Sequence, residues 1–291
     1  MALALEELED RRVPSYGQLP LAFEPNLGQA DPAVSFLARG QGYALSLTSG
    51  EAFLALPGSG GASDVLGLRL VAANSSAVAH GENPLAGVAN YLFGNDPSRW
   101  HTNIPTYGEV AYTDVYPGID LVYYGNQGQL EYDFTIHPGA APGMIRLQVE
   151  GTRSVSLDAQ GDLVIATPAG KVVERAPILY QEIAGTQRIV SGRYVIQNAN
   201  TVGFAVGPYD AARPLIIDPV LNYSDLVGGS ATSTGLAENV AYAIAVDSRR
   251  AAALFLPSSD RAATRSTRPS LAAPPGTSPT QWRPMPPETF M

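Results

Sequence analysis

Apolar and polar residues alternate one for one along much of this chain, most cleanly between Val115 and Ile136. Leu130, Tyr132, Phe134 and Ile136 alternate with Gln129, Glu131, Asp133 and Thr135, the two-residue period of a strand with one buried and one wet face. Ile119 to Tyr124 supplies a preceding strand of the same kind, and Gly125 to Gly128 a loop, so the stretch predicts an antiparallel hairpin. Shorter runs predict further strands at Phe36–Arg39, Tyr43–Leu47, Phe53–Leu56, Leu66–Ala72, Val88–Phe93 and Gly108–Tyr112. They continue at Ile145–Val149, Val155–Leu157, Leu163–Ala166, Val172–Glu174, Ile178–Ile183, Arg193–Gln197, Gly203–Val206 and Leu215–Ile217. Turn formers separate them at Asp158–Gly161, Pro168–Gly170, Ala184–Gly185 and Asn198–Asn200. Spacing this close leaves no room for crossover helices, which excludes a parallel sheet as the main plan. The expected fold is all-β: an antiparallel, sandwich-like domain or pair of domains with short hairpins.

The period is lost at both ends. Residues 1–18, with Leu5-Glu-Glu-Leu-Glu-Asp-Arg-Arg12, read as a leader segment outside the core, and residues 19–219 as the β domain. Charge changes sign after Ser248: 12 basic and 25 acidic residues precede it, whereas six arginines oppose only Asp260 and Glu288 behind it. Residues 249–291 are Ala, Pro, Ser, Thr and Arg without a strand or helix period, a composition that buries too little apolar surface to offset its ordering entropy. That segment is expected to be disordered. A natural linker and a slipped reading frame both account for it, and the abruptness of the change favours the slip.

Composition removes several functions. Formal net charge is -9 and Lys171 is the only lysine, so a polyanion such as nucleic acid is a poor partner. With no cysteine there is no disulfide, thiol nucleophile or thiolate metal site. No apolar run approaches the roughly 18 residues that cross a bilayer as a helix, and no secretory signal is visible at the start.

Candidate chemistry is sparse. Pairing the main hairpin across a four-residue loop sets Tyr124 against Gln129, Tyr123 against Leu130, Leu121 against Tyr132, and Asp120 against Asp133. Two carboxylates directly opposed cost up to about 1 kcal/mol unless neutralised. Ca²⁺ held by Asp120, Glu131 and Asp133 is one answer; an arginine such as Arg146, or plain solvation, is the commoner one. His80, His101 and His137 have no spacing for a shared metal, and no Gly-x-Ser-x-Gly elbow precedes a helix. Tyrosines crowd residues 107–132, and Tyr124 with Trp100 are the candidates for a sugar- or partner-binding platform, although alternation assigns Tyr123 and Tyr132 to the core. A hydrolase built on an unrecognised carboxylate pair is the third and weakest reading.

Several blocks resemble the N-terminal domain of bacterial proteins that carry SBBP-class β-propeller repeats. They are Phe23–Gln29, Phe36–Gly40, Asn90–Trp100, Tyr116–Gly125, Leu130–Phe134 and Pro214–Pro219. Residues 220–248 look like the start of a first repeat, Leu221 to Ser230 and Ala243 to Ser248 carrying the likeness, which ends at Arg249. One incomplete repeat closes no propeller. The resemblance implies a secreted or cell-surface bacterial protein, and the opening Leu5–Ser15, which looks like a short segment that accompanies export regions in some large bacterial surface proteins, implies that a signal has been lost from the chain as written. With no catalytic constellation among the residues, the expected function is a non-enzymatic structural or interaction domain of such a protein, without a cofactor, facing a protein or polysaccharide partner at the surface. A carbohydrate-binding module is the alternative.

Overall fold

The computed structural model describes residues 21–219, except 41, 58–62, 127–128 and 169, together with strand segments at 221–222, 243–246 and 252–255. Within it the all-β expectation holds: strands and tight turns follow one another, with two single 3-10 turns at Pro97–Arg99 and Pro142–Met144. In chain order the strands are β1 (Phe23–Pro25), β2 (Phe36–Gly40), β3 (Tyr43–Leu47), β4 (Glu51–Pro57), β5 (Ser63–Leu70), β6 (Ala79–Tyr91) and β7 (His101–Tyr116). There follow β8 (Ile119–Asn126), β9 (Gln129–Ile136), β10 (Arg146–Glu150), β11 (Ser154–Leu157), β12 (Leu163–Ala166), β13 (Lys171–Glu174) and β14 (Ile178–Ile183). The last are β15 (Thr186–Val190), β16 (Gly192–Asn198), β17 (Thr201–Val206), β18 (Leu215–Asp218), β19 (Leu221–Asn222), β20 (Ala243–Val246) and β21 (Ala252–Phe255).

Antiparallel pairing links most of these into one long path, β15-β14-β18-β9-β8-β7-β1-β2-β3-β4-β5-β10-β17-β16, with β6 branching from β7. The two ends of the path, β15 and β16, are sequence neighbours joined by Ser191 alone. The ribbon therefore turns back on itself at that corner, where the Ser191 carbonyl accepts from the Gly207 amide at 2.8 Å. Phe134 of β9 meets Phe204 of β17 edge to face at 6.1 Å, and Tyr194 of β16 lies 5.5 Å from the same ring. One half of the path thus packs on the other as a two-layer sandwich.

A second sheet, β11-β12-β13-β19, buries Leu163, Ile165 and Val172 in the same apolar cluster as Phe134, Tyr132 and Leu54. In the main path the inward residues follow the alternation in the sequence: Leu130, Tyr132, Phe134 and Ile136 of β9 are each 2% exposed or less. The paired segments β20 and β21 form a separate two-stranded ribbon. Its second strand lies inside the stretch expected to be disordered; the rest of that stretch and the leader fall outside the described residues.

The main hairpin forms, but two pairs further along than expected. Its ladder ends on Gly125 with Leu130 and Asn126 with Gln129, which leaves residues 127 and 128 for the turn. Pairing Gly125 and Asn126 adds two rungs that a four-residue loop would forfeit. Because the slip is an even number of residues, every side chain keeps its predicted face while its partner changes. Tyr123 now opposes Tyr132, and Leu121 opposes Phe134.

Candidate functional site

The corrected register dissolves the carboxylate pair on which the calcium reading rested. Asp120 opposes Thr135, and Asp133 opposes Val122. Asp120 accepts at Oδ1 from the Asp114 amide at 2.8 Å, and its Oδ2 lies 2.7 Å from His137 Nε2. His137 thus occupies the place expected of Arg146. The left-handed backbone at Asp114 (φ 52°) aims that amide, while the Asp114 carboxylate accepts from Gly118 at 3.0 Å and closes the β7–β8 turn.

Glu131 and Asp133 do come together, with a neighbour that alternation alone did not point to. The two lie on the outer face of β9, beside Tyr124 of β8 and Asp218 of β18. The Tyr124 hydroxyl donates to Asp133 Oδ1 at 3.1 Å, and Asn126 Nδ2 donates to Glu131 Oε1 at 3.1 Å. Asp218 Oδ1 is buried without a hydrogen-bond partner among the described residues. Burial first and Asp218 second push the Asp133 carboxyl up to about 7, against the pull of the Tyr124 hydrogen bond; Glu131 and Glu109 push it further the same way. Burial, then Glu131, raises Asp218 as well. Tyr124 is half-buried rather than the exposed platform expected, and burial first, then Asp133, Asp218 and Glu131, push its hydroxyl well above the usual tyrosine range. Among the described residues no group of three or more His, Asp or Glu is placed to hold a metal ion.

These acids extend into a row that crosses four strands. Glu82 of β6 opposes Glu109 of β7, Glu109 opposes Tyr124 of β8, and Tyr124 opposes Glu131 of β9. From Trp100 to Ile145 the sequence contains no lysine or arginine, so nothing local balances the row.

Trp100, the other platform candidate, stands on a different element. It follows the 3-10 turn in the loop joining β6 to β7, 37% exposed, with its indole donating to the Gly94 carbonyl at 3.2 Å. The base of that loop is fixed to β1 and β2. Tyr91 donates to Glu24 at 2.5 Å, Arg39 donates to the Tyr91 hydroxyl at 2.7 Å and reaches Glu24 at 3.4 Å, and the Arg39 guanidinium lies 5.0 Å from the Tyr91 ring centre.

A titratable group that sequence reasoning passed over lies inside the sandwich. Glu174 of β13, 1% exposed, accepts from the Tyr132 hydroxyl at 2.5 Å. The Tyr194 hydroxyl also acts on this carboxyl, although it makes no hydrogen bond of regular geometry among the described residues. Burial pushes Glu174 up to about 7 despite both hydroxyls. A similar value, about 7, is reached by Glu51 through burial and the nearby Glu150, with Arg69 opposing. Arg69 itself bridges Glu150 at 3.0 Å and Gln148 in an open cleft of about 540 Å³ that Arg153 and Asn200 also line. The signal for Glu174 was its parity with Val172, a carboxylate at an inward position of a strand.

Residues 23–220 match the model of a protein family described as a domain of unknown function, DUF7948. No curated protein and no solved structure matches the chain.

Proposed function

We propose, from the premise that the chain belongs to the DUF7948 family, that it is a non-catalytic structural and interaction domain of a secreted or cell-surface bacterial protein. One observation carries this reading: the candidate carboxylates Asp120, Glu131 and Asp133, and the buried Glu174, are engaged in holding strands and turns together. Asp120 binds His137 and the Asp114 amide, Asp133 takes the Tyr124 hydroxyl, Glu131 takes Asn126, and Glu174 takes Tyr132. A general acid or base needs a positioned reacting partner, and these side chains face strand neighbours. The surface placement and the repeat-protein context are supported by the likeness of Tyr116–Gly125, Asn90–Trp100 and Leu221–Ser230 to SBBP-repeat proteins.

A panel of glycoside, ester and peptide substrates tests it. No turnover above buffer is expected from the full chain, and turnover lost in an Asp133→Asn variant would replace the scaffold with a hydrolase. A second reading, a carbohydrate-binding module, is favoured by Trp100 and by Leu92, 59% exposed in the same loop. Binding to one polysaccharide class on a glycan array, lost in Trp100→Ala, selects that reading.

A further inference from the structure

Strand β6, 13 residues long, lies at an edge of the described sheet. Its 13 residues pair with β7 and with no other described strand, so its far side presents backbone N–H and C=O groups outside any ladder. Side chains along it are exposed, Val88 by 54% and Val78 just before it by 63%. An edge of this length invites pairing with another chain unless it is blunted. Blunting is present, but only over its second half: Asn83 has φ 52°, Pro84 follows, and register shifts fall between Pro84 and Val88 and between Ala89 and Tyr91. Ala79 to Glu82 remains regular, each residue opposite one on β7.

This regular stretch is also held in shape before anything binds. Tyr107 packs over Gly81 so closely that a Cβ there would collide with its ring, and the far end of the strand is tied down through Tyr91, Glu24 and Arg39. A preformed edge avoids the ordering cost that a flexible segment would meet on binding.

Charge selects the occupant. Glu82 sits on this edge directly opposite Glu109, the start of the acidic row that runs through Tyr124 to Glu131. A strand laid outside β6 brings its side chains beside Glu82, where a lysine or arginine relieves the like-charge contact and an acid worsens it. A second copy of this chain, at net charge -9, would bring its own Glu82 and Glu109 to the same seam.

We propose that the outer edge of β6 docks an extended, basic segment of a partner protein, which joins the sheet as an added strand and sets lysine or arginine side chains over Glu82 and Glu109. This mode of recognition takes affinity from main-chain hydrogen bonds and specificity from side chains on one face of the added strand. The inference rests on the reading of the domain as an interaction module and names the surface and partner chemistry.

The test uses the full chain and two fluorescent ten-residue peptides, one alternating Lys with Val or Thr, the other with Glu in place of every Lys. The lysine peptide is expected to bind about tenfold or more tightly than its glutamate counterpart, and less tightly as salt is raised. Amide hydrogen exchange should slow in the regular stretch, residues 79–82, on binding. Glu82→Lys, at an exposed position, should weaken the lysine peptide about tenfold with the melting temperature unchanged or raised. Equal binding of both peptides, protection elsewhere than β6, or indifference to Glu82→Lys overturns the proposal. So does a dimer in sedimentation whose β6 amides are already protected, since a second copy then holds the edge. Turnover in the substrate panel would remove the non-catalytic reading without touching this result, and failure of peptide binding without turnover removes the docking edge alone.

Discussion

Glu174 is an ionisable group placed where a strand should present a hydrocarbon. It shares the inward side of β13 with Val172, and both are essentially unexposed. Burial lifts its carboxyl from an ordinary 4.5 to about 7, with the Tyr132 and Tyr194 hydroxyls pulling the other way. A carboxyl raised on folding favours the folded state while it stays protonated. Its contribution is complete below about pH 4.5 and is lost as the pH rises through about 7, at a cost of roughly 3 kcal/mol. Glu174→Gln keeps an acceptor for Tyr132 and cannot ionise. The variant should melt about 5–10 °C above the parent at pH 8 and within a few degrees of it at pH 4.5, by scanning calorimetry. Equal melting temperatures at pH 8 would mean that the carboxyl is solvated on ionisation. The sequence made the position readable as inward by parity with Val172 but gave no means of seeing the two tyrosines, since Tyr132 and Tyr194 come from β9 and β16, 42 and 20 residues away in number. Asp133 was read on the correct face for the same reason, whereas its neighbour Asp218 arrives from β18 and is invisible to any local pattern.

Among the elements, β9, with one dry face, is legible in the sequence, whereas β6, wet along nearly all of its length, is not. β9 announces itself because Leu130, Tyr132, Phe134 and Ile136 are all buried. β6 carries Gly81, Asn83, Pro84 and Gly87 and buries only Tyr91, so its period is absent and the expected strand began at Val88 instead of Ala79. Register was the other loss: an even slip of the β8–β9 pair leaves the hydrophobic pattern unchanged, so the pattern cannot choose between a four-residue and a two-residue turn. What keeps β6 in place is a polar anchor in a setting where apolar contacts are few. Tyr91→Phe removes the hydroxyl that Arg39 donates to and that donates to the nearly buried Glu24, 8% exposed. The loss is expected to be about 1–2 kcal/mol, because Glu24 keeps only its longer contact to Arg39. Hydrogen exchange should locate it, with amides of residues 79–107 exchanging faster in the variant and those of β3 and β4 unchanged. Uniform acceleration would mean that β6 has no separate opening and unfolds with the sandwich.

At the scale of the whole molecule, the ribbon path that returns on itself at Ser191 brings carboxylates from distant strands onto common surfaces with few cations between them. Glu51, Asp133 and Glu174 are each lifted to about 7 and Asp218 is lifted too, in every case by burial before any other cause. All four shifts have the same sign, so their linkage adds rather than cancels. Folding holds these protons more tightly than the unfolded chain does, and stability must fall as the pH rises from the ordinary carboxylate range through about 7. The three partly exposed members, Asp133, Glu51 and Asp218, contribute less than their shifts suggest, because solvent screens partly exposed groups. The melting temperature of the full chain should therefore peak near pH 5 and decline towards pH 8, opposite to a protein whose carboxylates are stabilised by ion pairs. Raising NaCl to about 0.5 M at pH 8 shortens the screening length to a few ångströms and relieves the Glu82–Glu109 and Asp133–Asp218 repulsions, so it should recover part of that decline while changing little at pH 5. A melting temperature that rises steadily from pH 5 to pH 8 would show that counter-charges reach these acids from elsewhere in the chain.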